Sequence, residues 1–98
     1  MVLEHALLSV RPGREDEFED AFSEATTIFS GMPGFGRLSL SRCRERTSTY
    51  LLLVEWATLE DHTVGFRTSR DYLRWRELLH HFYDPFPTVE HYEQVITA

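Results

Sequence analysis

The sequence contains no lysine; all ten of its basic residues are arginine. It has a single cysteine, Cys43, which excludes an internal disulfide and a cysteine-cluster metal centre. Basic residues never run further than "RCRER", residues 42–46, and the formal net charge is −6. A protein that grips a phosphate backbone needs a positive face, so nucleic acid is not an expected partner. Long apolar runs are missing too. The opening "MVLEHALLSV" has no cationic segment, and Glu4 and His5 interrupt it. That is not the pattern of a signal peptide, and no stretch is long enough to span a bilayer. The expectation is a cytoplasmic protein with no membrane partner. There is no glycine-rich phosphate loop, no HxxxH zinc pattern and no G-x-S-x-G elbow. No carboxylate pair stands apart from the charged helix surface, and no metal site is expected.

Aromatic residues, by contrast, are plentiful. The chain has 98 residues, read as one domain over 1–98, and carries two Trp, seven Phe and four Tyr. A lone domain of this size hides only roughly 60–65% of its unfolded surface. So much aromatic area calls for a second buried surface, most simply that of a symmetric homodimer.

The pattern along the chain alternates between periods. Residues 2–10, "VLEHALLSV", read as a short strand bounded by "RPG". "RPGRE" opens a helix whose Phe18, Ala21, Phe22, Ala25, Ile28, Phe29 and Met32 fall on one stripe, with acids in the first turn. Gly31 and "MPG" end it. "FGRLSLSRC" alternates as a strand, and "TYLLLVEW" (49–56) reads as a central strand buried on both faces. Thr58 and Asp61 form a capping-box pattern before a short helix over about 59–66. Ser69 caps a longer helix over about 70–83, and "DPFP" stops it. "TVEHYEQVIT" closes the chain as a strand. The order β-α-β-β-α-β is the split-βαβ, ferredoxin-like α+β signature, a four-stranded antiparallel sheet with helices on one face. Two such sheets packed together would make a dimeric α+β barrel.

Helical geometry sorts the candidate site residues. At about 100° per residue, His62 shares a face with Leu59 and Phe66 and looks at the sheet. On the longer helix Tyr72, Trp75, Leu78, Leu79, Phe82 and Tyr83 form the inward stripe, with Arg76 and His80 on its shoulder. His81 points away from His80, so "HH" is no chelate. For His62, Trp56 and Trp75 a packed-core role competes with a pocket role. Arg76 is either a solvated edge or the holder of an anionic oxygen. His5 needs a polar partner, in a core or in a pocket, because an unpaired buried imidazole is costly. His5, His62, His80 and His91 could meet in space.

At "YLLLVEWATLEDHTVGF", followed by "LLHHFYDPFPTVEHY", the chain resembles the antibiotic biosynthesis monooxygenase family. The resemblance extends to "VRPGREDEFEDAF" and "GMPGFGRLSLSRC", and so to essentially the whole chain. It implies a dimer with facing sheets, and in each subunit a pocket between sheet and helices. Members include cofactor-free oxygenases of polycyclic phenols and haem-degrading enzymes; other dimeric barrels are isomerases or decarboxylases. In the quinone-forming members Trp56 matches a pocket Trp, Arg76 matches a helix Arg, and His62 stands where they have a pocket Tyr. The haem degraders' Asn, Trp and His are replaced here by His5, Phe66 and about Arg76. Their chemistry is therefore not implied, and His62 or His80 would be the remaining candidate haem ligands.

A cofactor-free oxygenase needs a base, an anion stabiliser and a dry apolar cavity. Here these would be His62, Arg76 and a lining of His5, Trp56, Phe66, Trp75, His80 and Phe82. No cofactor is expected, and the partner would be a small aromatic or hydrophobic molecule. Two other readings remain open: a non-catalytic binder of such a ligand or of haem, and another barrel chemistry such as isomerisation.

Overall fold

The computed structural model describes residues 1–98. The elements are β1 (Val2–Ser9), α1 (Glu15–Ala25), β2 (Phe35–Arg42), β3 (Thr49–Trp56), α2 (Arg70–Leu79) and β4 (Val89–Glu93). The strands form one sheet in the order β2-β3-β1-β4, antiparallel throughout. This is the ferredoxin-like α+β arrangement expected from the element order. A tight 3-10 turn, Thr26–Phe29, extends α1, and another, His80–Phe82, follows α2. The short helix before α2 is a wide π-helical segment, Asp61–Phe66.

Local chemistry accounts for each boundary. Glu15, Asp16 and Glu17 sit in the first turn of α1, where carboxylates meet the positive end of the helix dipole. Thr58 and Asp61 make the reciprocal capping box. The Thr58 N–H donates to Asp61 Oδ2 at 3.1 Å, and the Asp61 N–H donates to Thr58 Oγ1 at 3.2 Å. Gly34, with φ +79°, runs under this box, and a Cβ there would collide with the Asp61 carboxylate. Ser69 Oγ caps α2 by accepting the Tyr72 N–H at 3.2 Å.

The core lies between the sheet and the helices. Phe18, Phe22 and Phe29 descend from the first helical stretch onto Tyr50, Trp56 and Trp75. The rings meet at tilted or edge-on angles, as between Phe18 and Tyr50 (4.9 Å) and between Phe29 and Trp75 (4.8 Å).

Two expectations change. The third strand is not covered on both faces within the chain. Tyr50, Leu52, Val54 and Trp56 are buried under the helices, while Leu51, Leu53 and Glu55 face the other way and are only half-covered. A strand with apolar residues of both parities needs two covers, and one chain supplies one. The last strand is also shorter than "TVEHYEQVIT". Its ladder with β1 ends at Val2↔Glu93.

Candidate active site

Inward-facing residues follow the parity of the strands. On β1 they are Glu4, Ala6 and Leu8; on β3, Leu52; on β4, Val89. Over this floor the π-helical segment, α2 and the chain after it leave a cavity of about 320 Å³. His62, Phe66 and Arg67 form one wall, Tyr72 and Trp75 another, and His80, Tyr83 and Phe86 close the far end.

One connected set of polar groups penetrates this apolar lining. The Trp56 indole N–H donates to Glu4 Oε1 at 2.9 Å. His62 Nε2 lies 3.2 Å from the same oxygen. His62 Nδ1 lies 2.7 Å from His91 Nε2. Glu4 and His91 are directly opposite in the β1–β4 ladder, so the sheet itself sets their spacing. The His62 ring clusters with Trp56, centroids 5.4 Å apart and planes 19° from parallel, and with Phe66 at 6.1 Å, the latter two rings themselves 5.9 Å apart. Glu4 and His62 are both buried.

Burial dominates the electrostatics. It pushes the Glu4 carboxyl above its ordinary value, against the Trp56 hydrogen bond and the positive charge of Arg67. It pushes His62 down to about 3, helped by Arg67 and His91. His91 is lowered by burial and then by Arg67. His80 is lowered by burial and then by Arg76. Tyr83 is raised by burial and then by the charge of Glu4. Both imidazoles of the connected set are therefore neutral at pH 7, and the site's net charge is decided by Glu4 and Arg67.

The sequence-derived site residues separate into three groups. His62, Phe66, Trp75 and His80 line the cavity. Trp56 lies one layer behind it, fully buried, holding Glu4. His5, Arg76 and Phe82 are elsewhere. His5 is on the opposite face of the sheet, edge-on to Tyr92 at 5.4 Å, and its buried Nδ1 has no partner. Apolar residues of both parities in "VLEHALLSV" hid which of Glu4 and His5 turns inward. Arg76 is one step of about 100° past the buried Trp75 and sits on the exposed side of α2. Arg67 is the cation at the cavity instead. Phe82 packs in the core against Phe18 (5.6 Å) beneath the Arg14 guanidinium. The helix tightens to 3-10 geometry after Leu79, which shifts the phase and gives the cavity position to Tyr83. Of the four histidines that could have met, His62 and His91 touch and His80 shares the cavity, while His5 is excluded. Glu4 is the residue that sequence reasoning passed over. Its signal was a carboxylate alone in an apolar strand.

A four-stranded antiparallel sheet with a helix-covered cavity over one buried carboxylate makes this a small ferredoxin-like α+β domain. The description antibiotic biosynthesis monooxygenase belongs to the family profile that matches residues 1–78. The uncharacterized protein YczJ of Bacillus subtilis (strain 168) is 60% identical over 95 residues, 97% of this chain and 100% of that one. A Bordetella bronchiseptica structure assigned to the same family is 35% identical, with TM-score 0.92 and 97% of each chain covered. SnoaB from Streptomyces nogalater, a cofactor-independent oxygenase, is 23% identical with TM-score 0.79, covering 98% of this chain and 94% of that one. At that identity SnoaB bears on the fold alone. The chain belongs to the antibiotic biosynthesis monooxygenase family.

Proposed function

We propose that the protein is a cofactor-independent oxygenase of a small phenolic compound bound in the cavity over Glu4 and His62. The observation that carries this reading is an aromatic-walled space of about 320 Å³ with a buried carboxylate, Glu4, and a buried imidazole, His62, 3.2 Å apart. The volume is about twice that of a cavity of ~150 Å³ that accepts a benzene, which suits one or two fused rings. Glu4, with His62 beside it, takes the phenolic proton. Arg67, at the cavity wall, holds the phenolate and the peroxy anion that follows. Phe66, Trp75 and Tyr72 wall the ring and exclude water. The electrons come from the substrate. A ring C–H becomes a carbonyl with one atom of dioxygen, and the other atom leaves as water.

The homodimer belongs to the same proposal. Leu3, His5 and Leu7 of β1 and Leu51 and Leu53 of β3 share the uncovered face of the sheet, and Leu7 is 47% exposed. A second copy of that face is its natural cover.

Oxygen uptake with a panel of one- and two-ring quinols, in the presence of a chelator, tests the activity. Wild type should consume oxygen in proportion to protein. Arg67→Ala should lower kcat/KM by roughly 10²-fold, as loss of an anion stabiliser does, and Arg76→Ala should leave it unaltered. Quinols that raise the melting temperature without any oxygen uptake would replace the oxygenase with a non-catalytic binder.

A further inference from the structure

His62 has no nitrogen left for a substrate. Its Nε2 faces Glu4 Oε1 and its Nδ1 faces His91 Nε2. Glu4 does have a free acceptor. Oε1 serves Trp56 and His62, while Oε2 takes no hydrogen bond from the protein, and Glu4 lines the cavity. His91 lies at the other end of the set. It does not line the cavity, it is half-exposed, and it stands on β4, whose outer edge has no neighbouring strand. A buried carboxylate is thus joined through two imidazoles to the solvent side of an edge strand.

We infer that Glu4 is the proton acceptor of the cavity and that His62 and His91 are the line along which its proton leaves to solvent. The inference rests on the oxygenase reading only for the identity of the donor, a phenol; the line itself is independent of the substrate. Two end states define it, and they differ by one proton. In the unloaded state Glu4 is ionised, His62 donates to it from Nε2, and His91 donates to His62 Nδ1 from Nε2. In the loaded state Glu4 is neutral and both rings carry their proton on Nδ1. Unloading moves one proton across each contact. A turn of the carboxyl group brings the O–H from the cavity side round to His62; the Glu4 proton then goes to His62 Nε2, the His62 Nδ1 proton goes to His91 Nε2, and the His91 Nδ1 proton goes to water. No imidazolium exists in either end state. That agrees with burial and Arg67 holding both rings neutral. The other ionisable groups at the cavity are Arg67 beyond the π-helical segment, Tyr72 on α2, and His80 and Tyr83 after α2. None of them lies between Glu4 and His91. His62 and His91 are positioning residues here, and Glu4 alone meets the substrate.

The measurement is a pH jump on the full chain followed by infrared spectroscopy, with no substrate added. The carbonyl stretch of protonated Glu4 is identified by its loss in Glu4→Gln. Wild type should load and unload Glu4 quickly. His91→Gln, which can keep a hydrogen bond to His62 but cannot relay a proton, should slow the change by roughly 10²-fold, the scale of a lost acid–base relay. His91→Ala should be slow as well, and free imidazole in the buffer should restore its rate. A purely structural His91 would predict no rescue by imidazole. Equal rates in wild type and His91→Gln, or no signal lost in Glu4→Gln, would overturn the inference. A slow His91→Gln in a protein that oxidises no quinol would instead remove the oxygenase reading and leave the proton line standing.

Discussion

Replacing Glu4 separates the cost of its charge from the value of its hydrogen bonds. Glu4→Leu keeps the side-chain volume approximately, removes the acceptor of the buried Trp56 indole N–H at 2.9 Å and takes away the carboxylate that lies 3.2 Å from the buried His62 ring. Each buried polar group left unpaired costs about 1–3 kcal/mol. Removing a desolvated carboxylate returns part of that, so the net loss should be roughly 2–4 kcal/mol. At about 4–8 °C per kcal/mol for a domain of this length, the melting temperature should fall by about 8–32 °C. Glu4→Gln keeps an oxygen in the same place for both donors and discards the charge. Its stability should stay within about 1 kcal/mol of wild type. Urea unfolding followed by the fluorescence of Trp56 and Trp75, both buried, reads the difference directly. Protein concentration must be held fixed, because the stability of the proposed dimer would depend on it. A Leu variant as stable as wild type would show that the Glu4 hydrogen bonds contribute nothing. A Gln variant as unstable as the Leu variant would show that the charge, not the acceptor geometry, holds this corner together.

Two further outcomes follow from the same geometry. The His62 value is about 3 in the folded chain against 6.5 for the free side chain, so its contribution is fully present above pH 6.5 and is lost as the pH falls. Glu4 is raised, so its own contribution runs the opposite way, present at low pH and lost as the pH rises. Isolating His62 by comparison with His62→Gln, wild type should lose about 1.5 kcal/mol more stability between pH 6.5 and about pH 5; parallel stability curves for the two proteins would contradict a neutral, buried His62. Leu7→Glu should convert a wild-type dimer to a folded monomer in sedimentation at micromolar concentration, because it places a charge among the leucines of the uncovered sheet face. A wild type that already sediments at the mass of one chain would remove the proposed pairing of sheets.

The amino-acid order alone determined the elements and their sequence. Period-two and period-3.6 patterns, the Thr58–Asp61 box and the Ser69 cap are local signals, decided by residues within one or two turns of each other, and the folded chain reproduces them. His62 could be read as inward from its neighbour Phe66, which is buried with it, whereas Leu59, expected on the same face, is 40% exposed. The site needed more. Which of Glu4 and His5 faces the helices depends on the register of β1 against β3 and β4, a long-range choice that an apolar strand of both parities leaves open. Arg67 replaces Arg76 at the cavity because a π-helical segment changes the angular spacing before α2, and Tyr83 replaces Phe82 because a 3-10 turn changes it after. His91 meets His62 across 29 positions of chain only because β4 docks beside β1. Propensity and pattern act over a few residues, whereas a cavity is assembled from strand parity and helix phase, and these are settled when the sheet closes.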